Sequence, residues 1–130
     1  MLIGVGLDLV EIGRFVKMLN KKDELLVERL LTDKERRDFL ALEAPHRQAE
    51  WLAGRFAAKE ALMKALGLAL PRGIGMRDIE VSPDSAGRPC LVLSDAVLRQ
   101  LEAPISCHLS ITHTDTTAAA VVVIEKEARP

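Results

Sequence analysis

Residues 2–10 alternate between two unlike faces. Ile3, Val5, Leu7 and Leu9 fall on one side, and Gly4, Gly6 and Asp8 on the other. A period of two predicts a β-strand. One face of that strand is bulky and apolar, while the other has almost no side-chain volume. Glycine weakens a strand, and one reason to keep it is close approach by a ligand or by another backbone. A bulge or tight packing is the ordinary alternative. Asp8 is an acid inside this apolar segment. A buried carboxylate is costly unless it is paired or coordinates a metal. An acid on the solvent side of an edge strand is the rival explanation, and the residues alone favour it.

Residues 12–20 predict the start of a helix. Arg14, Lys17, Met18 and Lys21 share one face at spacings of three and four, Lys22 extends the basic run, and no acid occurs from 12 to 22. Thr32 and Glu35 form a T-x-x-E capping box, so a second helix begins near Asp33 and ends before Pro45. Alanine and leucine dominate residues 50–66, which predict the longest helix, with Gly67 as its stop. Residues 68–77 form a loop around Pro71, Gly73 and Gly75. Residues 78–82 and 89–93 read as two strands, and Ser94 caps a short helix running to about Glu102. Residues 105–112 and 117–124 are the last strands. His113-Thr114-Asp115-Thr116 joins them as a hairpin. The order is strand, three helices, strand pair, helix, hairpin. Strands paired through short connections favour a single antiparallel α+β domain, with a sheet packed against helices. Residues 126–130 are a polar tail.

Composition excludes several classes. The 130 residues suit one domain, and 48% hydrophobic content with 28% charge suits a packed core and a soluble surface. Eighteen basic and nineteen acidic side chains leave a net charge of −1, which argues against nucleic-acid or membrane-surface binding. Such a surface also does little to oppose self-association. Aromatics at 3% give no platform for stacked bases. No apolar run approaches the roughly 18 residues of a membrane span, and the apolar N-terminus lacks a basic lead-in, so it is not a signal peptide. Cys90 and Cys107 sit in short apolar segments. They read as small buried thiols, reduced in a cytoplasmic protein, although a disulfide between them is an open alternative.

Few residues suggest chemistry unaided. Glu60 and Lys64, four apart, read most simply as a surface ion pair. Alternatively Glu60 binds a hard cation that prefers carboxylate oxygens, with Lys64 and Arg55 meeting phosphate charge. His108, Ser110 and Thr112 alternate on one strand face, with His113 at the turn. There is no G-x-S-x-G elbow and no assignable third residue, so a Ser–His–Asp triad has little support. No spaced Cys/His set, P-loop or dinucleotide fingerprint is present.

Three segments together resemble the bacterial holo-acyl-carrier-protein synthases, the short phosphopantetheinyl transferases. They are Ile3-Gly4-Val5-Gly6-Leu7-Asp8-Leu9-Val10-Glu11-Ile12 with Arg14-Phe15; Leu52-Ala53-Gly54-Arg55-Phe56-Ala57-Ala58-Lys59-Glu60-Ala61 with Lys64-Ala65 and Gly67; and His108-Leu109-Ser110-Ile111-Thr112-His113-Thr114 with the valine run ending in Ile124-Glu125. Asp78-Ile79-Glu80-Val81 and Gly87-Arg88-Pro89 are similar to family segments too.

The resemblance implies transfer of 4′-phosphopantetheine from coenzyme A to a serine of apo-acyl carrier protein, releasing adenosine 3′,5′-bisphosphate. The nucleophile would then belong to the partner. Asp8 and Glu60 match the family's Mg²⁺ ligands, and with Lys64 they form the implied catalytic set. Arg55 and Lys64 would contact coenzyme A phosphates, with His113, Ser110 and Thr112 lining the same cleft. The base is left open, with Glu60 or Asp8 acting through a water on the metal as the preferred assignment. The family is typically a homotrimer with its sites at subunit interfaces, so Gly87, Arg88 and Pro89 would reach a neighbour's adenosine. Arg14, Met18, Lys21 and Lys22, extended by Leu25, would dock an acidic carrier in fatty-acid or related synthesis. Glu24 departs from that basic character, and Leu68-Ala69-Leu70-Pro71-Arg72-Gly73 departs from the family's small-residue loop. A metal-dependent phosphohydrolase on a coenzyme A-like nucleotide and a non-catalytic carrier-binding module are the rivals.

Overall fold

The computed structural model describes residues 1–67, 70 and 72–127. Of the 68–73 loop, residues 68, 69 and 71 lie outside the described residues, as do 128–130 of the tail. The elements run β1 (Leu2–Glu11), α1 (Ile12–Asn20), α2 (Glu24–Leu30), α3 (Asp33–Leu40), α4 (Pro45–Leu66), β2 (Ile79–Pro83), β3 (Pro89–Leu93), α5 (Asp95–Leu98), β4 (Ile105–His113) and β5 (Thr117–Lys126). β1, β5 and β4 form one antiparallel sheet in that order, and β2 and β3 form a separate hairpin. The α+β expectation therefore holds, with two sheets instead of one.

The helices differ in part from those read in the sequence, and α5 stops at Leu98 instead of running to about Glu102. α2 was missed. It is short, and Asp23 starts it by accepting from Leu26 N at 3.2 Å while Val27 and Leu30 turn inward. α4 begins at Pro45, well before residue 50. Proline reads as a helix stop, but at the first helical position its missing N–H costs nothing.

α4 organises the molecule. Buried residues face in several directions along it, including Ala49, Leu52, Ala53, Ala57, Ala58, Ala61, Leu62 and Leu66. It crosses the inner face of the three-stranded sheet obliquely and packs on all three strands. Its early turns meet β4, where a Cβ on Gly54 would lie 3.2 Å from Ile111. Its later turns meet β1. A Cβ on Gly6 would lie 1.8 Å from the Ala61 carbonyl oxygen, and one on Gly4 2.0 Å from that of Ala65. The bare face of β1 thus exists for another backbone, the second of the explanations open from sequence.

A buried ion pair ties the remaining helices to α4. Glu35 completes the capping box with Thr32 as expected. The same carboxylate accepts from Lys59 Nζ at 2.5 Å and from Val81 N at 2.9 Å. Lys59 also donates to the carbonyls of Leu30 and Met76 at 2.7 and 3.0 Å. Every donor on the ammonium is used, which is what makes full burial of the charge tolerable.

The outer sheet face is unlike the inner one. Register places Val5, Val123 and His108 in one row, Leu7, Val121 and Ser110 in the next, and Leu9, Ala119 and Thr112 in the third. Ile3, Val5, Leu7, Leu9 and Val121 are exposed there. Cys90 and Cys107 are free and half-buried, more open than their apolar neighbours suggested. Burial pushes the Cys107 thiol pKa up.

Candidate active site

Asp8 lies on the inner face of β1, in the row with Ala120 and Ile111. The glycines before it bring the strand against α4, so side chains of both elements meet. Lys64 Nζ donates to Asp8 Oδ1 at 2.8 Å and to the Leu7 carbonyl at 3.1 Å. Asp8 Oδ2 is buried and has no partner. Glu60 stands one turn before Lys64, half-buried, without an ion pair or hydrogen bond among the described residues. Lys64 therefore pairs across the strand–helix contact and not along its own helix, which corrects the surface-pair alternative.

A buried carboxylate oxygen without a protein partner is one that a cation or an ordered water satisfies. Two carboxylates offer hard oxygen donors, the set preferred by Mg²⁺, which keeps water and phosphate as its other ligands. The described residues hold no cluster of three or more metal-binding side chains. The donor set fits a cation held partly by a substrate phosphate.

A second cluster lies nine residues earlier on α4, half a revolution round and about 13 Å along the axis. Arg47, Glu50, Trp51, Gly54, Arg55, Ile111 and His113 line a hollow there. Arg55 lies over the Trp51 ring at 4.3 Å, and its buried Nε has no partner. Burial lowers the Arg55 pKa, opposed by Glu35 and Asp38. Glu50 holds both imidazoles, with Oε1 3.1 Å from His46 Nε2 and Oε2 3.0 Å from His113 Nδ1.

The sequence-derived set thus splits. Asp8, Glu60 and Lys64 gather at the β1 edge, while Arg55 and His113 gather at the β4 edge, with α4 between. Within one chain these two groups stand apart. Ser110 and Thr112 point to the outer sheet face, away from His113, because adjacent strand residues face opposite ways. Gly87, Arg88 and Pro89 sit at the β2–β3 turn, held by Asp84 through the Ala86 and Arg88 amides. His46 and Arg47 were missed, since they precede the helix start read from sequence, and Glu50 was missed as the first residue of that helix, with no local signal to single it out.

α1 carries its basic face as expected. Arg14, Lys17, Met18 and Lys21 line a groove with Glu11, Gly13, Asp23 and Leu26. The Arg14 guanidinium rests over Phe56 at 5.2 Å, so this face is braced on α4. Leu25 is exposed outside that groove, and Lys22 lines a neighbouring hollow with Leu19, Val27, Phe39 and Leu40.

A family profile described as the 4′-phosphopantetheinyl transferase superfamily matches residues 4–123. The chain belongs to that superfamily. It is 38% identical over 126 residues to the holo-[acyl-carrier-protein] synthase of Staphylococcus haemolyticus, covering 97% of this chain and 98% of the relative. It is 44% identical over 126 residues to that of Geobacillus kaustophilus, covering 97% and 91%. A holo-(acyl-carrier-protein) synthase from Bacillus anthracis, solved in complex with CoA (3′,5′-ADP), superposes with a TM-score of 0.80 at 38% identity, covering 98% of this chain and 99% of that one. The matched span contains Asp8, Glu60, Lys64, Arg55 and His113, so both clusters lie inside the shared fold.

Proposed function

We propose that this chain transfers 4′-phosphopantetheine from coenzyme A to a serine of apo-acyl carrier protein. The serine oxygen forms a bond to the pantetheine-side phosphorus, the diphosphate P–O bond breaks, and adenosine 3′,5′-bisphosphate leaves. The observation that carries this reading is the Asp8 carboxylate, buried with one oxygen unpartnered and the other on Lys64, inside the family's matched span.

Asp8 and Glu60 would hold Mg²⁺. A divalent cation there supplies charge neutralisation on the diphosphate. Lys64 would bring its ammonium to the same phosphates, and Glu60 or Asp8 would take the serine proton through a water. The Arg55–Arg47–His113 hollow suits a separate phosphate, which coenzyme A carries on its ribose. The Arg14–Met18–Lys21 face, with Lys22 and Leu25, suits an acidic carrier.

A homotrimer completes the site in this reading. The exposed Ile3, Val5, Leu7, Leu9 and Val121 make an apolar face rimmed by His108, Ser110 and Thr112, of the kind another protein surface covers. Two half-sites on opposite sheet edges suit closure by a neighbour, which would bring the Arg55 cluster of one copy to the Asp8 cluster of the next. Ser110, Thr112, Gly87, Arg88 and Pro89 would then serve a neighbour's coenzyme A. No described helix is long and apolar enough to cross a membrane. We place the enzyme in the cytoplasm, in fatty-acid biosynthesis.

The deciding experiment weighs an acidic apo carrier after incubation with the protein, coenzyme A and Mg²⁺. A gain of one phosphopantetheine is expected. Release of adenosine 3′,5′-bisphosphate without any carrier would assign a hydrolase instead, and binding without mass gain a silent docking module.

A further inference from the structure

Arg55 is a half-buried cation with no carboxylate of its own among the described residues. Burial works against its charge, and Glu35 and Asp38 offset this only through space. Glu35 is committed to Lys59, and Asp38 pairs with Lys34 at 3.2 Å. Glu50 lines the same hollow as Arg55, but its two oxygens lie against His46 and His113. The buried Nε–H of Arg55 finds no acceptor.

An indole face holds the guanidinium instead. Arg55 Cζ lies 4.3 Å from the Trp51 ring centroid, and that ring rests in turn on Phe39, with centroids 5.9 Å apart. Arg47, Trp51 and Arg55 are each four residues apart on α4, so they form one stripe along the hollow. A π face fixes the plane of a guanidinium and attracts its charge. Unlike a carboxylate, it does not neutralise that charge or occupy the N–H groups at the edge of the ion. The hollow encloses about 180 Å³. Pockets for drug-sized ligands begin near about 300 Å³, so this one suits a compact anionic group and not a whole nucleotide.

We infer that Trp51 is a positioning residue for a bound phosphate monoester: its ring face holds the Arg55 guanidinium in place while leaving charge and donors to the ligand. This rests on the transferase reading above, in which the monoester is the ribose phosphate of coenzyme A. A tryptophan that only packed α4 against Phe39 would affect every ligand alike. A positioning one acts on ligands that carry the monoester.

The test titrates wild type, Trp51→Phe and Trp51→Leu calorimetrically with adenosine 3′,5′-bisphosphate and with adenosine 5′-monophosphate, once thermal unfolding has shown each variant folded. Trp51→Leu should weaken bisphosphate binding by about 3- to 20-fold and monophosphate binding by less than about 2-fold. Trp51→Phe keeps a ring face and should recover most of the loss. In an Arg55→Met background, Trp51→Leu should add less than about 2-fold, since the two side chains act as a unit. Equal losses for both ligands, or a full further loss without Arg55, overturns the inference. Trp51 is the one tryptophan of the chain, so its emission gives a readout that needs no substitution. The bisphosphate should change that emission and the monophosphate should not; an equal response to both also overturns the inference. A wild type that modifies no acidic carrier would instead overturn the transferase reading, which the mass assay reports separately from these binding contrasts.

Discussion

Lys64 Nζ sits 2.8 Å from Asp8 Oδ1, joining the end of α4 to a glycine-rich strand 56 residues away in the chain. The carboxylate is mostly buried and the ammonium half exposed, at 13% and 54%. The cation is the mobile partner. It stands at a carboxylate oxygen that a divalent cation would also use, so the two would compete for it. Lys64→Met should bind Mn²⁺ more tightly in the absence of coenzyme A, by roughly fivefold for a partly exposed pair. Calorimetric titration measures this, with a higher coenzyme A KM expected in the same variant.

Asp8→Asn and Glu60→Gln remove the two proposed metal ligands. Each should lower transfer by about 10²-fold or more, in the range found when a preorganised charge-stabilising group is lost. Mn²⁺ affinity should fall in parallel. Full activity in both variants would falsify the metal assignment.

Gly6→Ala drives a Cβ into the Ala61 carbonyl, where no rotamer change can relieve the contact. A loss of about 3 kcal/mol or more in denaturant unfolding is expected, at the upper end of overpacking costs. Gly13→Ala makes a control, since its Cβ meets nothing within 4 Å and alanine favours the helix.

Lys59 and Glu35 test the buried pair. Glu35→Gln leaves the ammonium buried without its counter-charge and should cost about 3–5 kcal/mol. Desolvation already lowers the Lys59 pKa, and Glu35 opposes that shift, so the variant's Lys59 falls further. A lysine with a lowered folded pKa binds fewer protons folded than unfolded. Stability therefore rises with pH between that folded pKa and the ordinary value of about 10.4. Glu35→Gln should recover part of its deficit relative to wild type as pH rises through this window, measured by urea unfolding at each pH.

Leu7→Asp places a charge in the centre of the exposed sheet face. If the proposed homotrimer uses this face, sedimentation should show its affinity falling by at least about tenfold, since an unpaired charge is costly in an apolar interface. Transfer activity should be lost with it if the site is shared between copies.

The local sequence determined much of this protein. Alternation across residues 2–10 placed the large and bare faces of β1 correctly, because side-chain direction in a strand depends only on parity. The Thr32–Glu35 capping box and the 105–124 hairpin followed from short-range chemistry in the same way. Asp8, Glu60, Lys64, Arg55 and His113 were legible as a set only through the family's segments.

Tertiary structure decided the pairings. That Lys64 turns to Asp8 and not to Glu60, that Glu35 also holds Lys59, and that Arg55 and His113 face a different sheet edge from Asp8 all depend on how α4 crosses the sheet. That crossing is set by two glycines meeting alanine carbonyls far along the chain, a contact that no local periodicity encodes.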